Sequence, residues 1–356
     1  YCFPQKYFSC SSPALPHDLL QKVHKLFDWA VNINSVKGSC TMFANRAFEL
    51  QANGVLLLSN LSVGVNRMLP TVQMVVRKEE VTRIINGMTD EQRYERQIAG
   101  IRSVMTGHTC FDRVAQILDP LGLDASQPAR TVLVLADTIT DAVQECFRKQ
   151  SYPHKKLMRA SDVSQTDLGH YDMVTWFAED ACYHTFYLED MINGFKYTAC
   201  DYITKDAWYE NGKLHSGAEH QYVNDMGSKY RTVFWTDAFS ADELLNMPVS
   251  ADLPNGYSID HLNYDEKMQK QPDTKKEFLL SVVIPVCDSG LHLYAKSFSG
   301  LRRSSMFGNM EILLMDEHSV DQRTLQIEED IASNRPNVRV ISCENGLRQG
   351  VTFASA

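Results

Sequence analysis

Residues 279–286 read Leu279-Leu280-Ser281-Val282-Val283-Ile284-Pro285-Val286. A continuous apolar run of this length, rich in β-branched side chains, predicts a strand covered on both faces, as in a parallel sheet. The pattern downstream predicts a helix over about 292–304, a strand over 310–315, a helix over 322–333 and a strand over 338–341. This is a βαβαβ run, whose parallel connections are right-handed. It places the chain in the α/β class.

Upstream, residues 265–277 are rich in Lys, Asp and Glu around Pro272 and read as a solvated linker. Before the linker, residues 129–264 show the same alternation. Thr131-Val132-Leu133-Val134-Leu135 predicts a buried strand and about 140–149 a helix. Met173-Val174-Thr175-Trp176-Phe177 and Tyr230-Arg231-Thr232-Val233-Phe234-Trp235 predict strands, with a helix over 187–195 between them. The expectation is a largely parallel sheet. Residues 1–125 hold the apolar run Gly54-Val55-Leu56-Leu57-Leu58-Ser59. A helical stretch from Lys78 to Leu118 follows, with apolar positions at helical spacing, ended by Asp119-Pro120-Leu121-Gly122. Asp124-Ala125-Ser126-Gln127-Pro128 is the expected boundary.

At 356 residues the chain has room for roughly two to three domains of about 150 each. Apolar residues at 44% and charged residues at 22% exclude a disordered or fibrous chain. A net charge of −9 argues against wrapping a phosphate backbone, so nucleic acid is not an expected partner. No apolar run reaches membrane-spanning length. Tyr1-Cys2-Phe3-Pro4-Gln5 has neither an initiator Met nor a basic n-region, which predicts an internal portion of a longer protein and not a signal peptide. Nine scattered cysteines with no C-x-x-C pair predict reduced thiols in a cytoplasmic setting.

The chain carries no G-x-G-x-x-G after a strand, no G-x-x-x-x-G-K-[ST], no H-E-x-x-H and no G-x-S-x-G. Dinucleotide dehydrogenases, P-loop NTPases, zincins and α/β-hydrolases lose their usual support. The eleven His residues show no metal-ligand spacing. What remains is Glu311-Ile312-Leu313-Leu314-Met315-Asp316-Glu317-His318-Ser319-Val320-Asp321. A carboxylate at the tip of a parallel strand stands where open α/β sheets bind ligands, able to accept from a base or a ribose hydroxyl. An Asp at such a tip equally caps the following loop, and spacing does not choose between the two.

These residues, with Pro336-Asn337-Val338-Arg339-Val340-Ile341 and Asn345-Gly346, resemble the start of a family 2 glycosyltransferase of the GT-A fold over about the last 80 residues. The resemblance implies a nucleotide-sugar site that includes Pro285, Asp316, Glu317 and Asp321. Cys287-Asp288, Glu317 and His318 depart from the family pattern. The family's metal-binding D-x-D and catalytic base are expected beyond Ala356, so the catalytic residues are unknown. Tyr171-Asp172-Met173-Val174-Thr175-Trp176-Phe177-Ala178-Glu179-Asp180-Ala181 resembles the later half of the same fold. Glu179 and Asp180 then stand as metal ligands, for Mg²⁺ or Mn²⁺ against a diphosphate. As bare residues they are equally solvated turn acids. The middle module is shorter before this point than the third segment and lacks a D-D-G-S-T-D equivalent, so it is expected to be degenerate and abridged.

The first segment resembles the C-terminal half of a two-Rossmann GT-B glycosyltransferase of the CgeB-like branch, through Asn45-Arg46-Ala47-Phe48-Glu49-Leu50-Gln51-Ala52-Asn53-Gly54 and Val63-Gly64-Val65-Asn66. The likeness implies donor contacts at Arg46, Glu49 and Gly54; read on its own, Glu49 lies on an exposed helix face. Together the three resemblances imply a multidomain bacterial glycosyltransferase of cell-surface polysaccharide synthesis. The implied partners are a nucleotide-diphospho-sugar donor and a glycan or lipid-linked acceptor, with peripheral membrane association through that acceptor. The alternative is a non-catalytic scaffold or glycan-binding protein. A nucleotide-dependent oxidoreductase is disfavoured by the missing glycine fingerprint.

Overall fold

A computed structural model describes residues 5–123, 128–267, 278–333 and 335–343. It is a mixed α/β protein that divides into two units, Tyr1–Val104 and Met105–Ala356.

In the first unit, strands β1 (Trp29–Asn32), β2 (Leu56–Asn60) and β3 (Gln73–Val75) form a parallel sheet in the order β1-β2-β3. The central strand is the Leu56–Ser59 run, buried on both faces as a middle parallel strand must be. Helices α1 (His17–His24), α2 (Arg46–Ala52) and α3 (Val63–Met68) surround it, with Ala47, Leu50, Val65 and Leu69 in the core. The helical stretch expected from Lys78 to Leu118 is three helices: α4 (Lys78–Asn86), α5 (Asp90–Gly107) and α6 (Cys110–Leu118). Two caps divide it. Thr89 and Gln92 exchange backbone-to-side-chain bonds at the start of α5. Thr109 and Asp112 form a capping box at the start of α6. The division between the units falls inside α5. The boundary expected at 124–128 lies, but for Pro128, outside the described residues.

The second unit takes in the end of α5 and the whole of α6, and continues with β4 (Val132–Ala136), α7 (Asp141–Arg148), β5 (Lys155–Arg159), α8 (Gln165–Leu168) and β6 (Met173–Trp176). Strand β4 pairs parallel to β5 on one side and to β6 on the other. Next come β7 (Ala181–Tyr183), α9 (Tyr187–Gly194), β8 (Tyr202–Thr204), β9 (Trp208–Glu210), β10 (Lys213–His215) and β11 (Gln221–Val223). They are followed by β12 (Thr232–Trp235), α10 (Ala241–Leu245), β13 (Gly256–Ser258) and β14 (Tyr264–Glu266). A seven-stranded sheet has the order β11-β13-β8-β12-β6-β4-β5, and a four-stranded sheet the order β10-β9-β14-β7.

The large sheet is mixed, not largely parallel. Strand β12 runs antiparallel to both β6 and β8. It begins at Thr232 because Lys229–Arg231 form a 3₁₀ turn. Asn211 and Gly212 both take positive φ, which makes the two-residue turn that joins β9 to β10. Asp265 and Glu266 belong to β14, paired with β7 and β9, and not to a linker. The sequence alternation there was masked by a Lys- and Glu-rich composition. Residues 268–277 lie outside the description.

A three-stranded parallel sheet closes the described chain: β15 (Leu280–Val286), β16 (Met310–Asp316) and β17 (Val338–Ser342), in that order. Between β15 and β16, α11 (Gly290–His292) and α12 (Ser299–Arg302) flank a π-helical turn at Leu293–Phe298. Helix α13 (Gln322–Ser333) follows β16 over the range its pattern predicts. Asn345 and Gly346 lie outside the described residues. Among those described, no helix is long and apolar enough to cross a membrane.

Candidate functional site

The chain makes β4, passes to β5 on one side, and returns to place β6 on the other side of β4. The carboxyl ends of β4 and β6 therefore part at a switch point, where open α/β sheets leave a ligand crevice. A cavity of about 510 Å³ lies there, lined by Asp137 after β4, Phe177-Ala178-Glu179-Asp180 between β6 and β7, Tyr230-Arg231 before β12, and Tyr264 and Glu266 of β14.

Aromatic packing fixes its walls. The rings of Phe177 and Tyr183 stack at 3.8 Å, and Tyr187 and Tyr264 close on Tyr183 edge-on. The Tyr183 hydroxyl donates to the Tyr230 carbonyl at 2.7 Å and accepts from the Ala178 amide at 2.9 Å. One buried hydroxyl thus joins the segments on two sides of the crevice, and burial pushes its pKa up.

Around this floor the charges converge. The Tyr230 hydroxyl donates to Asp137 Oδ2 at 2.9 Å. Burial, that bond and the negative charges of Asp137, Asp180 and Glu179 push the Tyr230 phenol up to about 12. Glu179 and Asp180 themselves are exposed at the lip. The Asp180 carbonyl accepts from the Lys267 amide at 2.7 Å, which pins the turn to the end of β14. Arg231 lines the same cavity, 6% exposed, its guanidinium 3.7 Å from the Trp208 ring centroid and its Nη1 3.3 Å from Glu266 Oε1. Tyr264 also donates to Glu266 Oε1, at 2.8 Å. The Arg231 Nε and the Trp208 indole nitrogen are buried without a hydrogen-bond partner.

Among the described residues, no group of three or more His, Cys, Asp or Glu side chains is placed to hold a metal ion. Glu179 and Asp180 have no third protein ligand among those residues. Two exposed carboxylates fit a hard cation that arrives with phosphate oxygens and keeps part of its water. They do not fit a cation caged by the protein.

The other expected residues lie elsewhere. Pro285 and Asp316 sit on neighbouring strands of the β15–β16 pair, Pro285 facing Met315 in register. Asp316, 6% exposed, accepts from the Ser319 amide at 3.0 Å. Asp321 caps α13, accepting from the Thr324 amide and hydroxyl at 3.1 and 2.7 Å. Asp288, a departure from the family pattern, accepts from the Val320 and Asp321 amides at 2.8 Å each. His318 has φ +66°, a left-handed conformation that Gly takes more readily than a side chain with a Cβ. The Glu317 amide donates to the Val286 carbonyl at 2.7 Å, which holds its place beside β15.

In the first unit, Arg46 donates to Asn32 Oδ1 at 3.1 Å. Asn32 belongs to a polar network with Asn34, Ser59 and Asn60 at the carboxyl ends of β1 and β2. Glu49 is turned away from it, accepting from Gln21 of α1 at 3.0 Å. Gly54 ends α2 at φ +75°, where the Val55 amide returns to the Leu50 carbonyl at 2.9 Å. Helix termination accounts for this glycine; a close approach of ligand to backbone is not needed to explain it.

The sequence reading missed Asp137, Tyr230, Arg231 and Glu266 as site residues. Asp137 carried a usable signal, because it follows a buried strand just as Asp316 ends one. The other three carried none, since antiparallel strands and a sheet pairing bring them to the crevice. Comparison with family models and with curated proteins returns no match to this chain.

Proposed function

We propose that the crevice at the ends of β4 and β6 binds the diphosphate of a nucleotide-diphospho-sugar, and that the protein transfers the sugar to an acceptor hydroxyl. The observation that carries this reading is the convergence of Asp137, Glu179 and Asp180 on one cavity at the switch point, with a buried Arg231 in the same lining. A shape of about 510 Å³ suits a small organic ligand. Glu179 and Asp180 would hold Mg²⁺ or Mn²⁺, which supplies charge stabilisation of the departing diphosphate. Arg231, held rigid between Trp208 and Glu266, sets a fixed positive charge beside it. The Tyr230 hydroxyl and Tyr183 keep the acidic side oriented. In the GT-A and GT-B resemblances, Asp316 and Arg46 would serve further nucleotide contacts in their own modules. A glycan or lipid-linked acceptor at the cytoplasmic membrane face completes the proposal.

The test is titration of UDP by calorimetry with and without Mn²⁺, on the wild type and on Asp180→Ala and Asp137→Ala. The expected result is Mn²⁺-dependent binding that weakens at least about tenfold in Asp180→Ala, roughly the 1.4 kcal/mol of one lost charged contact. A second reading, a non-catalytic scaffold, is favoured by one observation: no third metal ligand stands beside Glu179 and Asp180 among the described residues. Absence of UDP binding in both conditions would replace the transferase reading with it.

A further inference from the structure

Arg231 brings to the crevice a donor edge that the fold leaves unused. Its Nη1 is given to Glu266 Oε1 at 3.3 Å. Its Nε is buried without a hydrogen-bond partner among the described residues, although Arg231 lines the cavity. A buried orphan donor costs free energy comparable to a lost hydrogen bond, so it points to a missing acceptor. Nε and Nη2 present parallel N–H bonds along one side of the guanidinium, the edge that matches two oxygens of one oxyanion. Two neighbours set where that edge lies. The Trp208 ring lies against the guanidinium at 3.7 Å, and Trp208 is itself stacked on His215 at 4.9 Å and 9°. His215 is held in turn by Glu210, Nε2 to Oε2 at 3.0 Å. Beside Nη2 stands Gly227, φ +66°, where a Cβ would come within 2.8 Å of that nitrogen. Glycine meets both demands at this position, the left-handed backbone and the close approach.

We propose that the Nε–Nη2 edge of Arg231 is a bidentate phosphoryl site, and that Gly227 and Trp208 are the positioning residues that keep it turned to the crevice. The identity of the phosphoryl group rests on the transferase reading, in which it belongs to the donor's diphosphate; the fork itself rests on the geometry. A phosphoryl group offers two oxygens to two parallel N–H bonds, and charge-assisted bonds of this kind are the strong ones. The acids of the cavity set the conditions. Asp137, Glu179, Asp180 and Glu266 line it beside the one guanidinium. A free phosphate dianion is therefore repelled, and the group enters with a hard cation on its other oxygens. The bond from Nη1 to Glu266 and the Trp208 ring leave the guanidinium little freedom to turn. Arg231→Lys supplies a charge but neither the fork nor the flat face that stacks on Trp208.

The test reads Nε directly by NMR. The full chain, isotope-labelled at arginine Nε, is titrated with inorganic pyrophosphate and Mg²⁺, and separately with UDP and Mg²⁺. The Arg231 resonance is assigned by its loss in Arg231→Lys. The expected result is a downfield shift of that N–H resonance in both titrations, as the orphan donor gains an oxygen. By calorimetry, Arg231→Lys weakens pyrophosphate binding at least about tenfold, the worth of one charged hydrogen bond. Gly227→Ala gives a comparable loss with the guanidinium still present, and Trp208→Phe, which keeps a ring face, binds more tightly than Trp208→Leu. A substitution can disturb the turn, so the wild-type resonance is the deciding readout. Pyrophosphate that binds while the resonance stays in place overturns the fork and leaves the diphosphate reading standing. Movement with sodium glucuronate and not with pyrophosphate overturns the phosphoryl assignment in favour of a carboxylate. Movement with pyrophosphate and no binding of UDP keeps the fork and removes the nucleotide from the transferase reading. Binding of neither removes both.

Discussion

Glu328 of α13 is 1% exposed, and its Oε1 has no hydrogen-bond partner. Burial first, and the charge of Asp316 second, push its carboxyl up to about 8. In the unfolded chain the same group ionises near 4.5. Between these values the folded protein keeps a proton that the unfolded chain has released. The contribution to stability is therefore complete below the lower value and is lost as pH rises toward the upper one. Glu328→Gln keeps the neutral shape and removes the titration. Its thermal midpoint should exceed that of the wild type at pH 8 by about 2–4 °C, the response of a large domain to roughly 1 kcal/mol, and converge with it near pH 5. Equal midpoints at pH 8 would show that Glu328 is ionised in the fold. Nothing in the sequence marked Glu328, which occupies an ordinary polar position in a helix. The rule that singled out Asp316, by contrast, needs only a strand pattern, and it applies equally to Asp137.

Among the elements, β13 shows how backbone approach builds the large sheet. A Cβ at Gly256 would land on the ring of Tyr202, itself fully buried in the neighbouring strand β8. Tyr202 is held in place by its hydroxyl, which donates to the Leu253 carbonyl at 2.5 Å. Gly256→Ala should cost about 3 kcal/mol, the upper end for inserting a methyl into a packed core, read as a lowered urea midpoint at unchanged slope. Ready tolerance would mean that β13 can lift from β8. Elements with strong local patterns were legible: the Gln322–Ser333 helix and the β4, β15 and β16 strands stand where apolar period and length put them. The three-residue strands of the four-stranded sheet were not, because a segment that short has no period to read. The Asn211-Gly212 turn did carry a hairpin signal.

At the scale of the second unit, a buried carboxylate is among the groups that hold the third segment to the middle one, beside the Arg148–Glu329 ion pair and the Lys149–Ser333 bond. Glu189 of α9, 4% exposed, accepts from Thr106 at 2.6 Å, from Arg323 of α13 at 2.6 Å, and from Ser151. Phe186 joins the core of the third segment, 5.3 Å from the Tyr294 ring. Removing one partner of such a cluster leaves a buried charge short of donors. Arg323→Ala should cost about 2 kcal/mol and raise amide exchange selectively in α13. Exchange spread evenly over the unit would instead assign Arg323 a general packing role. Glu189 stood inside a stretch that attracted attention as a family likeness, yet its partners lie 83 and 134 positions away. No local pattern encodes such a meeting.

The sequence by itself determined the α/β class, the long helices and the buried parallel strands, because hydrophobic periodicity and capping act over a few residues. It also placed Glu179 and Asp180 at the end of a strand, where the crevice opens. The tertiary structure alone decided that β12 runs antiparallel beside β6 and that β14 returns to β7. It also decided that Arg231, Glu266 and Tyr230 line one cavity with Asp137. Those placements depend on sheet order and on closure over long loops, and their free energy comes from contacts between residues that no short window contains.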